Sequence, residues 1–332
     1  MQLHTPISIP SSPTPITYAG KLMLFGSCFA ENIGEKLAAN KFQVDINPFG
    51  ILYNPLSLKS ALTDLLDRRT FTGKDLFEHH GVYHSFAHHS RFSAVEAQEC
   101  LLMINERIIH SAQELREADR LIITFGTAFV YHLKETGMVV SNCHKLPEKL
   151  FHRERISTEQ IVTEWRELIT ALRAENPKLK LLFTVSPIRH WKDGAHENQL
   201  SKATLLLAID QLEKEFDYCS YFPAYEIVMD ELRDYRFYAE DMIHPSGQTV
   251  DYIWKRFAET QLSKESRDLM AEWQKLHKAL QHRPFNPKTE SYKNFLQQNL
   301  LKAEQLTKKC PTFALSTEVA QIRELLKSFE QS

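Results

Sequence analysis

Two rhythms of apolar and polar positions take turns along this chain. Short, nearly continuous apolar runs over 21–25, 120–125 and 179–185 have the length and bulk of buried parallel strands. Val44-Asp45-Ile46 and the segment 218–225 are further strand candidates. Between them, apolar residues recur every three or four positions and predict helices over 31–40, 55–69, 93–118, 158–175, 195–215 and 249–260. In the second of these the stripe is Leu56, Leu58, Leu62, Leu65 and Leu66. Strands alternating with helices predict an α/β fold, a parallel sheet covered on both faces.

Two segments interrupt the rhythm. Residues 71–93 carry Phe71, Phe77, Tyr83, Phe86 and Phe92 around Gly81 and read as a hairpin or irregular insertion. Residues 129–157 read as a second irregular insertion with a short hairpin turning near Gly137. Pro6, Pro10, Pro13 and Pro15 make 1–20 an extended arm, followed by a main domain over 21–262. From 263 to 332 there is no glycine; Lys, Gln, Glu and Leu dominate, and Pro284 and Pro287 break the run into pieces, which predicts an α-helical extension.

Polar motifs gather at the ends of the predicted strands. The first strand runs into Gly26-Ser27-Cys28-Phe29-Ala30, the next long one into Phe125-Gly126-Thr127-Ala128, and the next into Ser186-Pro187-Ile188-Arg189-His190. Asp241-Met242-Ile243-His244-Pro245 follows the last. In open parallel sheets ligands bind outside the carboxyl ends of the strands, so four such motifs point to a site there. Nucleophilic catalysis needs a nucleophile, a base and a group that orients the base. Cys28 or Ser27 is the candidate nucleophile, His244 the base and Asp241 its orienter. Met242 and Ile243 are expected to bury beneath the loop. A helix N-terminus and a nearby imidazole are expected to lower the Cys28 pKa from about 8.5.

Gly26-Ser27-Cys28-Phe29-Ala30, supported by Phe125-Gly126-Thr127-Ala128, Asn142-Cys143-His144-Lys145, the 184–190 stretch and the Asp241/His244 loop, resembles the GSCFA family, within the SGNH (GDSL-type) hydrolases. The resemblance covers roughly 20–255. It implies a three-layer α/β/α, flavodoxin-like parallel sheet of the SGNH type and acyl chemistry on an O-acyl ester, as an esterase or acyltransferase with an acyl-enzyme intermediate. Laid over Gly-Asp-Ser, Cys28 takes the nucleophile position and Ser27 that of the aspartate. Such enzymes draw oxyanion donors from the nucleophile's amide, a glycine amide and the asparagine of a Gly-x-Asn block. Here that block reads Gly126-Thr127-Ala128. Gly50 and Gly126 stand as candidate amide donors, with Thr127 or Asn142 in place of the missing side chain. That gap leaves a second reading open, an idle SGNH-like protein that binds a carbohydrate or acyl ligand.

Arg91 and Arg189 are candidates for pairing with a substrate carboxylate or phosphate, or for ordinary surface salt bridges. His79, His80, His84, His88 and His89 cluster densely, but Gly81 and the aromatic alternation argue against a helix that could hold zinc; a solvated or substrate-facing insertion, with His88 toward the ligand, is expected. Neither Gly-x-x-x-x-Gly-Lys nor Gly-x-Gly-x-x-Gly occurs, so no nucleotide cofactor and no metal are expected. A net charge of −2 gives no electrostatic case for nucleic acid or an anionic membrane, and 43% hydrophobic with 25% charged residues is ordinary for a globular protein. There is no signal-peptide pattern and no apolar run of about 18 residues. The five cysteines (28, 100, 143, 219 and 310) lie far apart without Cys-x-x-Cys spacing, which fits a reducing cytoplasm rather than a disulfide framework.

Overall fold

The computed structural model of the chain describes residues 5–282 and 284–329. Residues 1–4 of the expected arm and the last three of the expected helical extension lie outside the described residues. In chain order the main elements are β1 (Lys21–Gly26), α1 (Cys28–Ala39), β2 (Gln43–Ile46), α2 (Pro55–Leu66), β3 (Phe77–His79), β4 (Val82–His84) and α3 (Ala97–Glu117). Then come β5 (Arg120–Phe125), β6 (Phe129–Leu133), β7 (Val139–Val140), β8 (Phe151–Arg155), α4 (Thr158–Glu175), β9 (Lys180–Val185), α5 (Gly194–Glu215) and β10 (Cys219–Tyr221). A short α6 (Ala224–Glu226), α7 (Gly247–Gln261), α8 (Lys264–Leu280), α9 (Glu290–Lys309) and α10 (Ser316–Lys327) complete it.

The central sheet has the order β10-β9-β5-β1-β2. The β1–β5, β5–β9 and β9–β10 pairs are parallel. With helices on both faces this is a three-layer α/β/α fold followed by C-terminal helices, as the alternation predicts. Every residue of β5 is buried, which is why its sequence reads as a nearly continuous apolar run broken only by Arg120 and Thr124. Period-two geometry divides the sheet residues. Met23, Phe25, Leu121, Ile123, Phe125, Leu181, Phe183 and Val185 join one core with the inward stripes of α2 to α5, among them Leu62, Ile108, Trp165 and Ile209. Leu22, Leu24, Ile122 and Leu182 are equally buried on the opposite face. Each such side chain contributes about 1.5–3 kcal/mol relative to exposure.

Two compact units emerge. One is built chiefly from Lys21–Glu35 and Val44–Arg256; the other from Pro10–Gly20, Lys36–Gln43 and the C-terminal helices from Phe257 onward. In the second, the Tyr18 ring stacks on Phe42 at 4.1 Å and the Trp273 indole N–H donates to Ala39 O at 2.9 Å. No helix among the described residues is long and apolar enough to cross a membrane.

Several boundaries differ from the sequence expectation for local reasons. Helix α1 starts at Cys28 rather than at residue 31, because Ser27 caps it. Helix α3 starts at Ala97 rather than 93: Ala94 and Tyr83 exchange backbone hydrogen bonds at 2.8 and 3.2 Å, so 93–94 extend the β3–β4 hairpin instead. The last strand stops at Tyr221, since Pro223 ends its ladder and α6 follows. The 129–157 insertion is more regular than expected, an antiparallel sheet of order β7-β6-β8 with its turn at Gly137. Met242, expected beneath its loop, is half exposed, because a positive φ of 58° turns it outward.

The end of β1 is fixed by contact rather than by ladder alone. Gly26 has φ +148°, and a Cβ there would lie 2.5 Å from Thr124 O. Its N–H donates to Asn47 Oδ1 at 2.9 Å, and its carbonyl accepts from Leu52 N–H at 3.0 Å. Gly26→Ala is expected to destabilise the protein by about 2–4 kcal/mol, from backbone strain and the Thr124 clash together. A shift in the urea midpoint of that size is the readout; an unchanged midpoint would show that the β1–β5 junction has slack.

Candidate active site

Ser27 and Cys28 leave the Gly26 junction in opposite circumstances. Ser27 is buried, at 2% exposure, and its Oγ accepts the Phe29 N–H at 3.3 Å, which caps α1. Cys28, the first residue of the helix, is partly exposed. Burial raises its thiol pKa, and the Glu31 carboxylate adds to that; its own N–H and that of Phe29 favour the thiolate but do not outweigh them. The expectation of a lowered pKa is therefore corrected: desolvation wins over the helix N-terminus. Tyr53 stands close enough that burial first, and then the charges of Cys28 and Glu31, push its phenol up.

The Asp241/His244 loop is held by its backbone. Ala239 N–H donates to His244 O at 2.7 Å and Ser246 N–H to Phe237 O at 2.9 Å. Ser246 Oγ, accepting the Thr249 N–H at 3.3 Å, opens α7. Asp241 Oδ1 accepts the N–H of both Ile243 and His244 at 2.9 Å, and Oδ2 meets His244 Nδ1 at 2.5 Å. The amides of His244 and Ile243, then the imidazole, hold the Asp241 carboxyl down at about 2. An ionised Asp241 can only accept, so His244 Nδ1 donates in this bond, and in the neutral imidazole Nε2 is then the acceptor. Both side chains are about half exposed, at 50% and 47%.

A cleft of about 590 Å³ opens at the carboxyl edge, walled by Tyr53, Phe129, Tyr131, Asn142, His190 and Trp191 among others. His190 follows β9, and its N–H donates to Asn198 Oδ1 at 3.0 Å. Its ring meets Tyr53 edge-on at 5.7 Å, and its Nε2 lies 3.4 Å from where a Cβ on Gly126 would stand. Burial, with Lys202, Arg153 and His244 nearby, pushes the His190 imidazole down to about 3, so it is neutral at ordinary pH. Beneath it Lys202, 1% exposed, donates to Gly126 O at 2.6 Å and Ser186 O at 2.7 Å, tying the ends of β5 and β9. Burial pushes that ammonium down to about 7. Arg153, paired with Asp193, lies 4.0 Å over the Phe129 ring.

The other sequence candidates divide. Asn142 lines the cleft; its Nδ2 donates to Ser90 Oγ at 3.3 Å and its Oδ1 accepts the His144 N–H at 2.9 Å. Thr127 lines it too, but its Oγ1 faces Ser201 Oγ at 3.1 Å. The Gly126 and Thr127 amides both donate to Tyr53 O, at 2.7 and 3.1 Å, and the Gly50 amide donates to Asn47 O at 2.8 Å. Arg91 donates to Asn47 O and pairs with Glu31 at 3.4 Å, bracing the turn after β2 rather than facing a ligand. His88, expected toward the ligand, is 1% exposed; it stacks on Phe49 at 4.5 Å inside the insertion's aromatic core, where burial pushes it down to about 3. Arg189 lines a separate pocket beside the His244 loop, so it and Asn142 do not share a cavity. Cys28, Asp241 and His244 lie outside the lining of the main cleft, and among the described residues no hydrogen bond joins Cys28 to His244. No cluster of His, Cys, Asp and Glu among the described residues forms a metal site.

Sequence reasoning passed over His190, Tyr53 and Lys202. His190 carried a usable signal, a histidine just past a strand's carboxyl end. Lys202 and Tyr53 carried none, because a lysine on a helix and a tyrosine before one normally face solvent.

The GSCFA family profile matches residues 21–257, and that of the GSCFA domain protein, C-terminal domain, matches 273–328. The chain belongs to the GSCFA family. No curated protein matches it. Among solved structures it is similar to an acetyl xylan esterase from the rumen bacterium Butyrivibrio proteoclasticus, at 10% identity and a TM-score of 0.39. That match covers 74% of this chain and 64% of the other, so this chain spans less than two thirds of that structure, and the likeness is too loose to add to the fold described above.

The raised Cys28 pKa has a direct consequence. Iodoacetamide should alkylate Cys28 slowly at neutral pH, with a rate that climbs through a pH above that of an ordinary cysteine. Peptide mapping across pH separates it from Cys143, whose thiol burial pushes up to about 11. Rapid, pH-independent alkylation of Cys28 near pH 7 would show a resting thiolate instead.

Proposed function

We propose that the chain is an SGNH-type acyl-group enzyme, an esterase or acyltransferase acting on an O-acyl ester of a small molecule or carbohydrate in the cytoplasm. The observation that carries the reading is the Asp241–His244 pair, in which the ionised Asp241 holds His244 Nδ1 and leaves Nε2 available, on the loop that precedes α7. In this reading Cys28 Sγ attacks the ester carbonyl as His244 Nε2 takes its proton. Collapse breaks the carbon–oxygen bond, and His244 returns that proton to the departing alkoxide. The resulting thioester is resolved by water or an acceptor hydroxyl, deprotonated by His244 in turn. Because the thiol is protonated at rest, the proton transfer is part of the attack and not a preliminary.

The oxyanion takes the Cys28 N–H and the His190 ring in place of the missing asparagine. Support comes from donor accounting: the amides of Gly50, Gly126 and Thr127 already have acceptors. A neutral imidazole can donate, and the His190 side chain has no hydrogen bond among the described residues while lining the cleft. Contact between Cys28 and His244 then closes on binding; such hydrogen bonds are commonly long without substrate.

The same accounting favours one alternative, an idle cleft that binds an acyl or carbohydrate ligand, since three expected donors are already engaged. Short-chain p-nitrophenyl esters and thioesters separate the two. Turnover is expected, with His244→Ala losing about 10²–10⁴-fold in kcat at unchanged circular dichroism. His190→Ala should lose about 10²–10³-fold in kcat with little change in KM, and His190→Gln, which keeps a donor, should recover part of it. No turnover across the panel supports the idle cleft; equal rates in His244→Ala remove the histidine from the mechanism.

A further inference from the structure

Consecutive residues after β9 serve different cavities. His190 faces the main cleft, while Arg189 lines a second pocket of about 240 Å³ with Tyr238 and Met242 of the Asp241/His244 loop. We propose that this second pocket binds an organic carboxylate on a short apolar or aromatic body, beside the His244 loop. As a specificity site it rests on the acyl-transfer reading; as a binding site it does not.

Charge accounting singles out Arg189. Arg233 on the rim pairs with Asp230 at 2.8 Å. Asp234 accepts the Arg236 N–H at 2.9 Å and lies 3.6 Å from its Nε. Arg189 has no carboxylate partner among the described residues; its neighbours are Met229 Sδ at 4.0 Å and the Tyr238 ring at 5.9 Å. A guanidinium held among a thioether, an aromatic ring and buried aliphatics lacks the counter-ion that such a setting favours.

The walls define the rest of the ligand. Val228 and Leu232 form an apolar floor, at 1% and 5% exposure. Met242 and Tyr235 line the pocket while remaining 50% and 73% exposed. Met242 is turned outward by its φ of 58°, so the loop spends backbone strain to keep an apolar side chain there. One unpartnered cation over such walls suits a monoanion with an apolar body. A phosphate dianion would ask for further donors, and the other cation of the lining, Arg233, already has its carboxylate.

The test is titration calorimetry on the whole chain with phenylacetate, its neutral isostere 2-phenylethanol, and inorganic phosphate, followed by the methyl resonances of Met229 and Met242. Saturable phenylacetate binding that moves both methyls is expected, with 2-phenylethanol and phosphate at least about tenfold weaker. Arg189→Gln should weaken phenylacetate by at least about tenfold. Arg189→Lys, which keeps the charge and loses the fork, should fall between, and serves if the glutamine variant does not fold. Cys28→Ala should bind phenylacetate as the wild type does, so absent ester turnover and absent carboxylate binding are separate failures. Unmoved methyls, undiminished binding in Arg189→Gln, or phosphate binding as tightly as phenylacetate would each overturn the proposal.

Discussion

The junction at Gly26 is the constraint on which the rest of the structure turns. Three chain segments meet there: β1 ends, Thr124 of β5 presses against the Cα, and Asn47 at the end of β2 takes the amide. Asn47 adopts φ 44° to do this, while its carbonyl accepts from Gly50 and Arg91. Because β1 and β5 flank the point where the strand order reverses, the same contact that closes the sheet opens the crevice where ligands of such sheets sit. The direction in which Ser27 and Cys28 leave the strand follows from it. One hydroxyl is committed to capping and one thiol is left partly exposed.

Chemistry in such a place is governed by desolvation. Burial holds the Cys28 thiol protonated and the His190 imidazole neutral, while backbone amides keep Asp241 ionised. The Cys28 thiol and the His190 ring therefore rest uncharged, and the Asp241 carboxylate that meets the His244 ring stays half exposed. Lys202 sets the spacing of the β5 and β9 ends by bonding both carbonyls, so the cleft wall that carries His190 is fixed from below. In the proposed mechanism, substrate binding must therefore bring about proton transfer from the protonated Cys28 thiol.

How much of this was legible follows from the kind of signal each part leaves. The parallel sheet was readable because β1, β5 and β9 are buried on both faces and so are apolar over most of their length. Strand-end motifs were readable because loops hold polar residues for few reasons other than solvation and chemistry. What escaped was decided by contacts distant in sequence. His88 looked like a ligand-facing histidine until Phe49 and Phe71 closed over it. Arg91 stood open between a ligand and a surface salt bridge, and Glu31 and the turn after β2 settled it for the latter. The Cys28 pKa was misjudged because a helix N-terminus is visible in sequence and the depth of a side chain is not. The same holds for Gly50 and Gly126, whose amides could be assigned acceptors only once Asn47 and Tyr53 were in place.

The central claim is that Cys28, rather than Ser27, carries the acyl group. Acid-quenched protein after mixing with p-nitrophenyl acetate, analysed by intact mass and peptide mapping, tests it most directly. The account predicts one acetyl group on the Cys28 peptide, absent from Cys28→Ala and retained in Ser27→Ala. An acetyl group that persists in Cys28→Ala and maps to Ser27 would contradict it.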